Sequence, residues 1–211
     1  MKIYGFPTFN VTKVLLTAEE LGIAYEYVAL DPTKGETQSP EHRQRHPLGK
    51  VPVLEHQGKY LFESVAICRY LSRISDSRLY GGDAWHKALI DQWMDYSTLQ
   101  IGRWLATFFF QEVVMAKFFG EEIDQARLTE AAELLATQMP VIENHLAQNE
   151  FFVGDSLSLA DLIAFSYLHT HEKTSVSIEP YANIRRWYGA IKSRPSFTAA
   201  MSNFPNNDIF G

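Results

Sequence analysis

Lys50-Val51-Pro52-Val53-Leu54 and, eight residues on, Phe62-Glu63-Ser64-Val65-Ala66-Ile67 are the stretches on which the fold turns. Proline has no N–H to give to a ladder, so a strand that begins at Pro52 lies at an edge or a first position, and the backbone groups of Val51 stay free. Ser64 stands where a helix N-cap is wanted, because Val65, Ile67, Cys68 and Leu71 follow it at near-helical spacing. A helix N-terminus with a spare serine hydroxyl is a carboxylate site. Free backbone beside an X-Pro turn, together with an anion-binding helix start, suits an extended small peptide held by its carboxylate. Each run alone is an ordinary edge strand or an ordinary cap; their spacing is what carries meaning.

Working outward, Lys2 to Gly5 alternates as a strand, and Val11, Val14, Leu15, Ala18 and Leu21 follow helix spacing closed by Gly22. Tyr25 to Leu30 reads as a second strand, and Asp31 to Gln38 as a loop. Ser39-Pro40-Glu41 opens a short helix with proline at its first position. The Pro52 strand, a Gln57-Gly58 turn, a strand at Tyr60 to Phe62 and a helix from Val65 to about Ile74 complete a β-α-β-α-β-β-α order. A parallel βαβ unit followed by an antiparallel hairpin predicts a thioredoxin-like α/β domain with helices on both sheet faces. Beyond the polar stretch Ser75 to Asp83 everything reads helical: about Ala84 to Phe118, about Asp124 to Asn149 with Pro140 inside, Leu162 to Leu168, and Asn183 to Ser193 ended by Pro195. Ser158-Leu159-Ala160-Asp161 has the shape of a capping box, with a role in folding. The expected organisation is a thioredoxin-like domain over 1–76, a linker over 77–83 and an all-α domain over 84–211.

At 211 residues the chain suits two domains of about 80 and about 125 residues. No apolar run reaches the roughly 18 residues of a membrane span, and Met1 leads straight into a strand. A cytoplasmic protein with no membrane partner is therefore expected. The single cysteine, Cys68, excludes an internal disulfide framework and a cysteine metal cluster, and reads as a buried structural thiol. His169 and His171, two apart, do not share a helix face, so no metal is expected. A net charge of −6 without a basic stripe argues against nucleic acid.

The Val-Pro strand, the turn and the Glu-Ser helix resemble the glutathione site of the glutathione transferase superfamily. The resemblance extends over Met1-Lys2-Ile3-Tyr4-Gly5, Glu19 to Glu26, His46-Pro47-Leu48-Gly49-Lys50-Val51-Pro52 and Val153 to Asp161. It implies an enzyme that binds glutathione as cosubstrate and conjugates its thiolate to hydrophobic electrophiles. Two alternatives stay open: a glutathione-dependent disulfide reductase or peroxidase of Nu type, and a non-enzymatic glutathione- or ligand-binding module. Glutathione's thiol resembles free cysteine, with a pKa near 8.5, so the site must lower it. A helix N-terminus and a hydrogen-bond donor both do so. The commoner family pattern uses tyrosine or serine. Here Pro7-Thr8-Phe9-Asn10-Val11-Thr12-Lys13-Val14 looks most like the Nu class and Ure2-like relatives, which implies Thr8 and Asn10 as sulfur contacts with Thr12 as substitute. Asn10 is also well placed as N-cap and Thr8 for an ST-turn, and both roles can hold at once.

The same resemblance implies that the Val51 backbone pairs with the cysteinyl unit beside a cis bond at Pro52, and that Glu63 and Ser64 hold the γ-glutamyl end. Lys50 would approach the glycyl carboxylate. Phi-class relatives have His-Lys where Thr37-Gln38 stand, leaving Lys34 or Gln38 to compensate. An electrophile pocket between the Thr8 loop and the second domain is expected to use Phe9, Arg103 and Phe108. Family habit further implies a homodimer.

Overall fold

The computed structural model describes residues 1–75 and 78–204 and divides into two compact units. The first comprises Met1–Tyr80 together with the segment from Arg194, and the second Gly81–Ser193.

In the first unit the chain runs β1 (Lys2–Gly5), α1 (Phe9–Glu20), β2 (Glu26–Ala29), α2 (Pro40–Arg45), β3 (Val53–His56), β4 (Lys59–Phe62) and α3 (Ser64–Ile74). The strands form one sheet in the order β2-β1-β3-β4, with β1 parallel to β2 and β3 antiparallel to both of its neighbours. The hairpin closes through Gln57 and Gly58, both at positive φ, which a two-residue turn of matching twist requires. The expected βαβαββα order is the observed one. The stretch from Asp31 to Gln38, read as a loop, instead holds two single 3-10 turns, Pro32–Lys34 and Glu36–Gln38, because the Asp31 carboxylate accepts from the Thr33 N–H and starts the first.

Every residue of α1 from Val11 to Ala18 is buried, so this helix is enclosed on all sides. It packs against α3 and against a helix the sequence reading missed, α9 (Pro195–Ser202). Pro195 does end the preceding helix, but it also occupies the first position of this new one, where its missing N–H costs nothing. The Glu20 carboxylate at the end of α1 accepts from Arg194 Nε (3.0 Å), Arg194 Nη2 and Ser196 Oγ (2.6 Å), holding α9 in place. Among the described residues those from Arg194 on group with the first unit, whereas the sequence reading placed them in an all-α domain over 84–211. Of the expected linker, residue 77 lies outside the described residues, and Leu79 and Tyr80 are buried within a 3-10 turn of the first unit.

In the second unit one helical run extends from Ala84 to Phe119, as its apolar spacing predicts, built of α4 (Ala84–Asp95), a π-helical stretch Tyr96–Ile101, α5 (Gly102–Phe108) and a second π-helical stretch Phe109–Phe119. It is followed by α6 (Gln125–Leu146), α7 (Leu159–Leu168) and α8 (Ala182–Lys192). All ten residues of α7 are buried. At its start the Asp161 carboxylate accepts from the Ser158 N–H (2.9 Å), Ser158 Oγ (2.7 Å), the Phe152 N–H (3.0 Å) and Trp187 Nε1 (2.9 Å). Four donors offset the cost of burying a carboxylate, so the capping-box reading holds and its role is structural.

Candidate active site

The C-terminal end of β1, the N-terminal end of β3 and the C-terminal end of β4 lie at one end of the sheet, fixed by the pairs Tyr4 with Val53 and Val53 with Phe62. This is where open α/β sheets bind ligands. The starts of α1 and α3 and the Val51 turn all open onto this end.

The first helix starts two residues earlier than its apolar spacing suggests. Thr8, not Asn10, is the N-cap: its Oγ1 accepts from the Val11 N–H at 3.2 Å, and Asn10 sits inside the first turn. A hydroxyl that accepts in this way keeps its own hydrogen to donate. Asn10 Oδ1 accepts from Lys13 Nζ at 2.6 Å and from Ser64 Oγ at 3.4 Å, so the two helix starts meet at one carboxamide. Gly5 lets α1 lie close against the end of β1, since a Cβ there would lie 2.7 Å from Val11 Cγ2. Thr12, the expected substitute, is buried, with its N–H bonded to Thr8 O as the first turn requires.

The third helix also departs from expectation. Its N-cap is Glu63, at φ 71° and with no side-chain cap bond, and Ser64 is the first helical residue. The first N–H groups of α3 therefore face outward without a side-chain partner, which is an anion site by construction. A glutamate in the left-handed region costs of order 1–3 kcal/mol, a strain typical of ligand clamps. Glu63 is exposed and Ser64 is 8% exposed.

The Val51-Pro52 bond is cis and Val51 lies outside the β1–β3 ladder, whose last pair is Tyr4 with Val53. Two residues the sequence reading passed over hold this turn. Buried His42 donates from Nε2 to the Lys50 carbonyl at 2.9 Å, and Gly49, at φ 60°, comes so close to Thr37 O that a Cβ would lie 2.4 Å away. The Ser39-Pro40 start of α2 was readable; that its third residue would face Lys50 was not.

At the expected glycyl end, Lys34 is 72% exposed and paired with Asp31 at 3.1 Å. Gln38 accepts from Arg43 Nη2 (2.5 Å) and donates to Gly49 O (3.3 Å). Both are committed locally, and Lys50 is exposed. Of the electrophile residues, Phe9 is half-buried beside the Lys13 ammonium, which lies 5.1 Å from its ring centroid. Arg103 and Phe108 are not brought together. Five residues apart, they point about 140° from one another around a helix. Arg103 lines a cavity of about 490 Å³ with Trp104 and Phe110, and Phe108 another of about 430 Å³ with Ile123 and Leu128. Cys68 is fully buried, and burial pushes its thiol up to about 11, so it is inert at neutral pH.

Residues 1–73 match the family model of the glutathione S-transferase N-terminal domain and residues 104–195 that of its C-terminal domain. The chain belongs to the glutathione S-transferase family. A protein of Zea mays named glutathione S-transferase 4 is 36% identical over 93% of this chain and 89% of its own length. A probable glutathione S-transferase GSTF2 of Oryza sativa is 32% identical over 93% of each. Among solved structures, glutathione S-transferase I bound with lactoylglutathione superposes with a TM-score of 0.87 at 31% identity, covering 96% of this chain and 99% of that one. The maize enzyme I with an atrazine–glutathione conjugate gives 0.88 at 31% identity, covering 98% of each. The chain is thus a glutathione transferase, phi-like in overall sequence.

Proposed function

We propose that the protein binds glutathione along the open end of the sheet and bonds its thiolate to small apolar electrophiles, which give up a leaving group or add the thiolate across a double bond, with Thr8 and Asn10 as the groups that hold the thiolate. The observation that carries this is the meeting of the starts of α1 and α3 at Asn10. The Val51 backbone would pair with the cysteinyl unit, Glu63 and Ser64 would take the γ-glutamyl amine and carboxylate, and Lys50 the glycyl carboxylate. Thr8 and Asn10 would each donate to sulfur, favouring the charged form, and the positive end of α1 would add to that. The proton goes to solvent, and no protein side chain need act as nucleophile. Phe9 would border the electrophile.

The same loop has no cysteine, so reduction of disulfides, if carried out, would run through glutathione itself. The buried cysteine supports a reducing, intracellular setting, and exposed Leu48 and Phe62 support a dimer. The test is calorimetric titration with glutathione, followed by assays of chlorodinitrobenzene conjugation and hydroxyethyl disulfide reduction. Binding with conjugation is the expected result; absence of binding would overturn the reading in favour of a non-enzymatic module.

A further inference from the structure

Among the described residues, Lys13 is the one lysine or arginine side chain buried from solvent, at 0% exposure. It lies in the second turn of a helix whose apolar neighbours Val11, Val14, Leu15 and Leu16 are equally buried, a place where methionine or leucine would pack at no electrostatic cost. Burial pulls its pKa well below the lysine range, while Cys68 and Glu63, the titratable groups facing it from α3 and its start, act in the opposite direction. A lysine in such a position needs a reason, and its contacts supply one. Nζ donates to Asn10 Oδ1 at 2.6 Å, one turn back on the same face, and stands over the Phe9 ring.

A carboxamide has an oxygen that only accepts and a nitrogen that only donates, and either end can face a given neighbour. Lys13 Nζ donates here, and so it selects the oxygen. With Oδ1 taken by Lys13, and by Ser64 at 3.4 Å, the amino group is the end left to face away from the helix. We propose that Lys13 is a positioning residue that locks the Asn10 carboxamide in the orientation that offers glutathione's sulfur a donor and withholds the acceptor. This deepens the proposed function and rests on its assignment of Asn10 to the sulfur. Without the lock the carboxamide rotates, and half of its orientations set an oxygen against the thiolate.

The experiment titrates the thiolate absorbance of the glutathione complex against pH in the wild type, Lys13→Met, Lys13→Arg, Asn10→Ala and the Lys13→Met/Asn10→Ala double variant, with calorimetry to verify that each still binds glutathione. Lys13→Met is expected to raise the midpoint by about one pH unit, a tenfold loss of thiolate at fixed pH, and to lower kcat at neutral pH with KM for glutathione little changed. Lys13→Arg, which still donates to Oδ1, should recover most of the shift. In the Asn10→Ala background Lys13→Met should add nothing, because its effect passes through that carboxamide. If Lys13→Met fails to fold, Lys13→Gln keeps a polar partner in the buried site yet can present either a donor or an acceptor, and it too should raise the midpoint. An Asn10→Ala shift with no shift in the lysine variants overturns the positioning role alone, as does full additivity, which would mean the charge acts directly. No shift in Asn10→Ala overturns both this role and the assignment of Asn10.

Discussion

At the scale of single residues, Thr8 and Ser64 carry roles that a sequence pattern assigns in the wrong order. Both were legible as helix-start residues, but which was cap and which was first helical residue depended on backbone angles: Thr8 is extended and caps, whereas the left-handed residue is Glu63 and Ser64 falls inside the helix. Thr8 caps α1 and, in the proposed function, also donates to sulfur, so its variants report on both roles together. Thr8→Ala should lose about 0.5–2 kcal/mol of stability with the cap and also raise the pKa of bound glutathione. Thr8→Ser should do neither, as read by thermal melts and thiolate titration. Ser64 has its hydroxyl beside the uncapped N–H groups of α3. Ser64→Ala should weaken glutathione binding by about 1–3 kcal/mol, the cost of an unmet hydrogen bond to a charged group. Calorimetry with an unchanged affinity would remove Ser64 from the site. His42 and Lys13 were not legible as site residues, because a polar residue on a buried face gives no signal until its neighbours are known.

At the scale of elements, what could be read was what is local. The hairpin at Gln57-Gly58, the short helix at Ser39-Pro40 and the capping box at Ser158–Asp161 each follow from residues within a few positions, and each is present. What was missed depends on distant partners. The last helix, α9, is only two turns long, and its place is set by Glu20, 174 positions before Arg194. That tie makes a pH prediction. Burial alone would raise the Glu20 pKa, but the hydrogen bonds from Arg194 and Ser196 and the arginine's charge outweigh it, so the folded value is lowered from 4.5. A lowered acid pKa means that Glu20 contributes its stability above 4.5 and loses it as pH falls through the folded value. Denaturant midpoints measured from pH 6 down to pH 3 should fall less steeply for Glu20→Gln than for the wild type. Arg194→Met should hasten hydrogen exchange in α9 already at neutral pH, and equal exchange in the two proteins would mean that apolar packing alone holds the helix.

At the scale of the molecule, two units were legible from the change of periodicity near residue 80, but their membership was not, since chain order says nothing about a terminal helix returning to the first unit. The sheet order leaves β4 as an outer strand, and β4 carries Tyr60 and Phe62 at 46% and 39% exposure. Phe62 packs its ring 4.7 Å from that of His46, whose Nδ1 accepts from the Leu48 N–H, which leaves the Leu48 side chain, at 64% exposure, presented from the same loop. Exposed outer strands with large apolar residues are aggregation-prone unless something covers them. We propose that a second copy of the chain covers this surface through a two-fold contact, where one patch serves both partners. Light scattering should therefore report a dimer at micromolar concentration. Leu48→Glu would bring two like charges together across a two-fold contact, so it should shift the mass toward the monomer while the circular dichroism spectrum stays unchanged. A wild type that is monomeric at every concentration would leave this patch without its proposed partner.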